Sequence, residues 1–363
     1  MVLSILAILS MVALTKVGGV ASVGGVASAA KWEVSKRVVD DIAQAIRGDE
    51  IACDGVVRNG RHEIVATSFL SDVGRLPRAW PNPDPNGDPD DEERRLRTLT
   101  LAELFVQPSR EWAGEDVLPF SYYPATTNYL RKKDWGLADS SVLVPCGWRG
   151  PYLKMTPGDS KWYLSDGWKE PFTAQLNEFA RQSAFDKDVL ECRARILPED
   201  FDVWRTGRVQ VADSVMSNGF EIAFIRHLGA DHREDEIVPA RDSSPGADFY
   251  GDTFVDLRTN TCAWIVVNVN PPSTITPDKY GFTLYGPKNG RIGAWEASST
   301  NSSLVRLESK GEIPIGRKVM RAWATYGGRT NKVMSAVKTV ILPSSGYWTE
   351  IDIHQTNSVP NGI

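Results

Sequence analysis

The segment Tyr347-Trp-Thr-Glu-Ile-Asp-Ile-His354 has the clearest periodicity in this chain. It alternates between two sets of side chains, Tyr347, Thr349, Ile351 and Ile353 in one set and Trp348, Glu350, Asp352 and His354 in the other. Successive side chains of a β-strand point to opposite faces, so an apolar set alternating with a polar set predicts a strand with one buried face. The chain is therefore expected to end in a β-sheet.

Similar segments recur upstream at regular spacing, and Pro, Gly, Asn and Ser separate them. They are Ala263–Val269, Tyr280–Tyr285, Leu304–Leu307, Val319–Tyr326 and Val333–Leu342. Several short strands within about a hundred residues are typical of a sandwich, which predicts a β-sandwich domain over 258–363. Ile313-Pro-Ile-Gly316 and the segment after it resemble the Pro-x-Gly turn and strand of transthyretin-like or carboxypeptidase-regulatory-like modules. The expected sandwich is therefore transthyretin-like or immunoglobulin-like.

The opposite end of the chain is apolar. Residues 1–14, MVLSILAILSMVAL, carry no charge and have no polar stripe. Two copies of Val-Gly-Gly-Val-Ala-Ser follow at 17–28, and their glycines are expected to loosen any helix there. One interpretation is a secretory signal peptide cleaved near Ala27-Ser28-Ala29. A second is a membrane-spanning helix, which needs about 20 apolar residues.

A helix is predicted immediately after the glycine repeats. From Ala30 to Arg47, apolar side chains recur at helical spacing with charged residues between them. Gly48 is a natural C-terminal stop, because glycine accepts the left-handed conformation that ends many helices. The apolar side of this helix is expected to pack on a folded domain.

Two motifs occur in order in the middle of the chain. Gly147-Trp-Arg-Gly-Pro-Tyr-Leu153 and Asp166-Gly-Trp-Lys-Glu-Pro-Phe172 combine turn residues with aromatic anchors. Both resemble the G-type pseudopilins of type II secretion, a type IV pilin-like family, and the apolar N-terminus resembles the stem helix of that family. The positions that match are Gly150, Pro151, Tyr152, Leu153, Asp166, Trp168, Pro171 and Phe172.

The resemblance implies a complete organisation. An α+β fold is expected, with a long N-terminal pilin-type helix packed on a small antiparallel sheet. The domains would be a stem over 1–48, a pilin-like head over 49–257 and the added sandwich. The protein would be a structural subunit of a secretion or pilus-like filament, held in the inner membrane before assembly in the periplasm or at the cell surface. Its partners would be copies of itself, other pseudopilins, an assembly platform and lipid. The contact residues would be Val2, Leu3, Ile5, Leu6, Ile8 and Leu9.

A calcium site is also implied. Phe224–Asp231 resembles the family strand that ends before a calcium-binding loop, and carboxylate oxygens suit this hard cation. The candidate ligands are Asp231 and Asp252, with Asp248 as an alternate for the second. The competing interpretation of this charged loop is a solvated acidic surface.

Composition limits the remaining functions. The net charge of -5 argues against nucleic acid as the main partner. Cys53, Cys146, Cys192 and Cys262 have no metal-site spacing, and either disulfides or buried thiols are compatible with them. No catalytic motif is present, which predicts a protein that is not an enzyme. The alternative function is a secreted carbohydrate-binding or adhesion protein with a cleaved signal peptide.

Overall fold

The computed structural model of the chain describes residues 23–49, 51–81, 98–109, 116–154, 174–175, 220–221, 224–227, 253–257, 260–272, 276–327 and 332–353. The helices are α1 Val23–Arg47, α2 Phe69–Val73, α3 Ala102–Phe105 and a 3-10 helix Lys132–Leu137. The strands that precede residue 258 are β1 Val56–Arg58, β2 Ile64–Thr67, β3 Arg78–Pro81, β4 Thr98–Thr100, β5 Ser121–Ala125, β6 Asp139–Cys146, β7 Ala174–Gln175, β8 Phe220–Glu221, β9 Phe224–His227 and β10 Thr253–Asp256.

Eight strands follow in the last part of the chain. They are β11 Trp264–Asn270, β12 Lys279–Lys288, β13 Arg291–Ser299, β14 Leu304–Glu308, β15 Gly316–Thr325, β16 Val333–Met334, β17 Lys338–Leu342 and β18 Tyr347–Asp352. All but β13 overlap a segment that the sequence predicts as strand. In β18 the predicted alternation is confirmed, since Thr349, Ile351 and Ile353 are buried whereas Trp348 and Glu350 are exposed.

The helix predicted over Ala30–Arg47 is present, but α1 begins earlier, at Val23, so the second glycine repeat is helical. Gly48 ends the helix as predicted. Its φ is +81°, and its N–H donates to the carbonyl of Gln44 at 2.9 Å. A Cβ at this position would lie 2.6 Å from the backbone nitrogen of Val56, so a larger residue does not fit here.

The second half of α1 packs into a first core. Val39, Ile42 and Ile46 are at most 1% exposed. They meet buried apolar side chains from α2, α3, β10 and several loops, namely Phe69, Val73, Leu76, Leu104, Phe105, Val117, Leu153, Val255 and Leu257. Burial of each large apolar side chain contributes about 1.5–3 kcal/mol, so this cluster holds α1 on the body.

Two sheets face each other across a second core. One has the order β13-β12-β15-β16 with β17 also paired to β15, and the other has the order β14-β11-β18. Strands β11 and β18 run parallel, whereas the other pairs are antiparallel. The core side chains include Ile265, Val267, Phe282, Leu284, Met320, Ala322, Val340, Leu342 and Ile351.

The β5–β6 hairpin forms a third layer on the outer face of the five-stranded sheet. Val142 and Val144 of β6 pack with Tyr285, Ile292 and Val319 in a third core. The Tyr285 hydroxyl donates to the carbonyl of Leu137 at 2.7 Å. Because the sheet is covered on both faces, residues 281–288 of β12 are buried without alternation.

These layers correct the predicted fold. Strands account for 44% of the structure and helices for 18%, and among the described residues one helix has seven or more residues. The α+β fold organised around a long N-terminal pilin-type helix is therefore wrong, and so is the expected helical, pilin-like architecture. The predicted small head sheet is also replaced, because β1–β2, β5–β6 and β9–β10 form separate pairs and β7-β4-β3-β8 forms a sheet of very short strands. Most buried apolar side chains belong to strands and loops, which explains why the helical signal near the N-terminus does not decide the fold class.

The membrane prediction finds no support in the described residues. In that part of the chain, no helix is long and apolar enough to cross a bilayer. The expected N-terminal anchor and the inner-membrane localisation that depended on it are therefore not supported, and residues 1–22, which carried this prediction, lie outside the described residues.

Candidate functional site

Only one of the predicted residue groups lies within the described structure. Gly150, Pro151, Tyr152 and Leu153 are described. The others lie outside the described residues, namely Val2, Leu3, Ile5, Leu6, Ile8, Leu9, Asp166, Trp168, Pro171, Phe172, Asp231, Asp248 and Asp252.

The Gly150–Leu153 motif supports the first core. The Tyr152 ring meets Phe69 and Trp148 edge-on, with ring centroids 5.5 and 5.9 Å apart respectively. Leu153 is 5% exposed, and the Tyr152 N–H donates to the carbonyl of Leu104 at 2.8 Å. Trp148 and Tyr152 are both partly buried and pack against the first core.

A buried carboxylate stands beside this motif. The Thr67 hydroxyl lies 2.8 Å from both carboxylate oxygens of Asp72, and the Tyr152 hydroxyl donates to Asp72 Oδ2 at 3.1 Å. Arg149 Nε lies 3.4 Å from the same oxygen, and its guanidinium stacks 3.6 Å from the centre of the Phe120 ring. Burial raises the pKa of Asp72 to about 6, and the Arg149 charge opposes this shift. Asp72 therefore joins α2 to the motif.

A second buried ion pair lies next to the first core. Arg75 Nη1 and Nη2 donate to the two carboxylate oxygens of Glu103 at 2.6 and 2.8 Å. The Arg78 N–H adds a third bond at 2.9 Å. The side chains of Arg75 and Glu103 are 2% and 0% exposed. Bidentate contacts are the strong form of an arginine–carboxylate ion pair. The two residues are 28 positions apart, so their spacing in the sequence does not indicate the pair.

A lysine is enclosed within the layers of sheet. Lys318 of β15 is fully buried and donates through Nζ to the carbonyls of Ile315 and Arg317 at 3.1 and 3.4 Å. Burial lowers its pKa to about 7. Burial also raises the pKa of the Cys146 thiol to about 12. Cys146 and Cys262 are free thiols, so the structure selects the buried-thiol alternative for these two residues.

A cleft of about 280 Å³ opens between the helical part and the sheets. The loop after α2, the start of the 3-10 helix, the β12–β13 turn and the segments around 260 and 312 line it. Lys288 Nζ and Lys133 Nζ lie 3.1 and 3.6 Å from the same carboxylate oxygen of Glu312. Lys288 is 9% exposed, whereas Lys133 and Glu312 are more than half exposed.

Additional polar groups line the same cleft. Arg131, Asn260, Thr261 and Asn289 contribute to its wall. Among the described residues, none of these four side chains has a hydrogen-bond or ion-pair partner. Two lysines thus contact one exposed carboxylate, Glu312, and Arg131 adds a further cation to the wall of the same cleft. Sequence analysis missed this group because its members come from separate segments that only the fold brings together.

The remaining chemistry is limited. Within the described ranges, no group of three or more His, Cys, Asp or Glu side chains could hold a metal ion. Asp72, Lys318 and Cys146 have strongly shifted pKa values. Their side chains are buried and interact electrostatically with one another. The cleft is accessible, and its polar side chains can bind but carry no nucleophile paired with a base. No family model, curated protein or solved structure matches the chain, so the functional assignment depends on the geometry of its own residues.

Proposed function

We propose that this protein is a non-catalytic structural subunit that associates with further copies of itself through α1. The helix is 25 residues long, but its tightly packed section begins at Val39. Between residues 30 and 38, Ser35 is the one buried side chain. The single observation that carries the proposal is this difference between the packed and the uncovered sections of one helix.

The uncovered section has the composition of a contact surface. Val34 is 48% exposed and Trp32 is partly exposed, whereas Val38 already packs against the first core. Lys36 lies 5.4 Å from the centre of the Trp32 ring and shields part of it. Apolar side chains held on a rigid helix gain stability when a second helix covers them, at about 25 cal/mol per Å² removed from water. Another copy of α1 offers the same apolar side chains in return, as an isologous contact requires.

The test is the mass of the full chain in solution, measured by sedimentation velocity over a range of concentrations. We expect species larger than a monomer. In Val34→Asp, the protein concentration at which these species form should be at least tenfold higher than in the wild type. Val337→Asp is the matched control, because Val337 is also a valine and is 44% exposed at a distant loop. A monomer at every concentration, or equal effects of both substitutions, would contradict the proposal.

A second candidate function is carbohydrate binding on the outer face of the β14-β11-β18 sheet. Trp348 is 55% exposed there. Next to it, Asn268 and Asn270 donate to Glu350 and Asp352 at 3.4 and 3.0 Å. A flat aromatic ring beside amides and carboxylates suits a sugar, whose apolar face stacks while its hydroxyls make hydrogen bonds.

Affinity electrophoresis of the full chain in gels that contain soluble polysaccharides tests this candidate. Retardation that Trp348→Ala abolishes would support it. Trp135→Ala is the control, because Trp135 is 47% exposed on the 3-10 helix and away from this sheet. Equal retardation of both variants would exclude the sheet face as the binding surface.

A further inference from the structure

We propose that the cleft binds a small ligand that combines a carboxylate with hydroxyl groups, such as a sugar acid, and that Glu312 occupies the carboxylate position until the ligand displaces it. This site is separate from the α1 surface and from the outer sheet face, so the proposal does not depend on either candidate function.

The charge of the cleft supports an anionic ligand. Lys133 and Lys288 share one oxygen of Glu312, whereas Arg131 has no ion-pair partner among the described residues. Asp134 is 7% exposed and interacts electrostatically with all three cations. When Glu312 turns outward, three cations face the single carboxylate of Asp134. An incoming carboxylate would restore the balance.

Glu312 is suited to leave. The side chains of Glu312 and Lys133 are 57% and 56% exposed. Water can therefore solvate both charges when their ion pair breaks. Exposed pairs contribute little free energy, equivalent to roughly a twofold to fivefold change in an equilibrium constant. Lys288 cannot leave in the same way, because its side chain is 9% exposed and its Nζ lies 5.1 Å from the centre of the Trp295 ring. The buried lysine is thus the fixed part of the site.

The neutral groups of the wall favour a hydroxylated ligand. Asn260, Thr261 and Asn289 offer amide and hydroxyl groups that can donate to and accept from hydroxyls. Asn289 is exposed and held with a φ of +52° at the β12–β13 turn, and its N–H donates to the Gly74 carbonyl at 3.3 Å. Leu70, Leu76 and Pro314 add an apolar side. A volume of about 280 Å³ lies at the small end of ligand sites and suits one sugar ring.

Isothermal titration of the full chain with D-glucuronate, D-glucose and inorganic phosphate tests the proposal. We expect glucuronate to bind at least roughly tenfold more tightly than glucose, because the two differ in the carboxylate that the cations would recognise. Phosphate supplies charge without a ring, and binding as tight as that of glucuronate would contradict the requirement for hydroxyls. Absence of glucuronate binding in both the wild type and Glu312→Gln would overturn the site altogether.

Two substitutions in the same ion cluster should act in opposite directions. Glu312→Gln removes the internal competitor and should tighten glucuronate binding roughly twofold to fivefold. Lys288→Met should weaken it at least roughly tenfold, whereas Lys288→Arg keeps the charge and should retain binding. Glu308→Gln is the matched control, because Glu308 is 53% exposed and lies outside the cleft. A purely structural ion cluster would instead lose thermal stability in Glu312→Gln without any gain in binding.

Discussion

Replacement of Glu103 by Gln tests the interior of the first core most directly. The substitution keeps the shape of the side chain but removes the negative charge that pairs with the Arg75 guanidinium. Arg75 is 2% exposed, so its guanidinium cannot reach water when the ion pair is lost. Loss of one charge from a buried pair costs about 3–5 kcal/mol, because the remaining buried charge loses this countercharge and water does not replace it. We expect a loss of unfolding free energy of about that size.

The chain supplies its own control for this experiment. Arg306 and Glu308 are also an arginine and a glutamate at 2.5 Å, but their side chains are 60% and 53% exposed. Exposed pairs contribute about 0–1 kcal/mol, so Glu308→Gln should be nearly neutral. The two variants therefore make the same substitution in a buried and in an exposed arginine–glutamate pair.

Urea unfolding followed by tryptophan fluorescence measures both variants, and the double variant Arg75→Leu with Glu103→Leu completes the set. Because replacement of a buried pair by apolar residues is often close to neutral, the double variant should recover much of the loss. A cost of less than about 1 kcal/mol for Glu103→Gln would refute the reasoning. It would show that Arg75 finds water or another acceptor when Glu103 is neutral.

Three further predictions concern other buried groups. Burial raises the pKa of Asp72 from its usual 3.8 to about 6, so the folded state holds this proton more tightly than the unfolded state. Its contribution to the free energy of unfolding should be largest below pH ~4 and should be lost as pH rises through ~6. In the wild type this loss should amount to roughly 1–3 kcal/mol. In Asp72→Asn, the free energy of unfolding measured at these two pH values should not show the loss. Lys318 has a pKa lowered to about 7, so its contribution should rise from pH ~7 to ~10, and Lys318→Met should remove that slope in the same unfolding assay. Gly286→Ala would place a Cβ 2.0 Å from Lys318 Cδ, and thermal unfolding should show a fall in stability of about 1–3 kcal/mol. Gly311→Ala is the control. Gly311 has open space around it but a φ of +75°, so this variant reports the cost of the backbone conformation alone.

The strands of the last hundred residues were the most predictable part of the fold. The alternation of apolar and polar residues in β18 and the runs of β-branched residues in β11 and β17 are local signals. They appear where a sheet has one buried face. The central strand β12 gave a weaker signal because the β5–β6 hairpin covers its second face, and β13 was missed because its small residues Gly293 and Ala294 lack a strand composition. The end of α1 at Gly48 was also predicted, since the need for a positive φ is a property of one residue.

The site was not predictable in the same way. Arg131, Lys133, Lys288 and Glu312 belong to three distant segments, and none of these segments has a motif. Likewise, the partners of Arg75 and Asp72 could not be chosen from among the many acidic and basic residues of the chain. Charge and residue type were visible, but distance and burial were not.

The sequence by itself determined where strands recur, where α1 ends and which aromatic residues anchor the Gly150–Leu153 turn, because those outcomes follow from periodicity and from the conformational limits of single residues. Only the tertiary structure decided the fold class, the burial of Lys318 and the gathering of cations in the cleft. Long-range contacts set these features, since the environment of a charge is created by segments that are far apart in the chain and meet only when the layers pack.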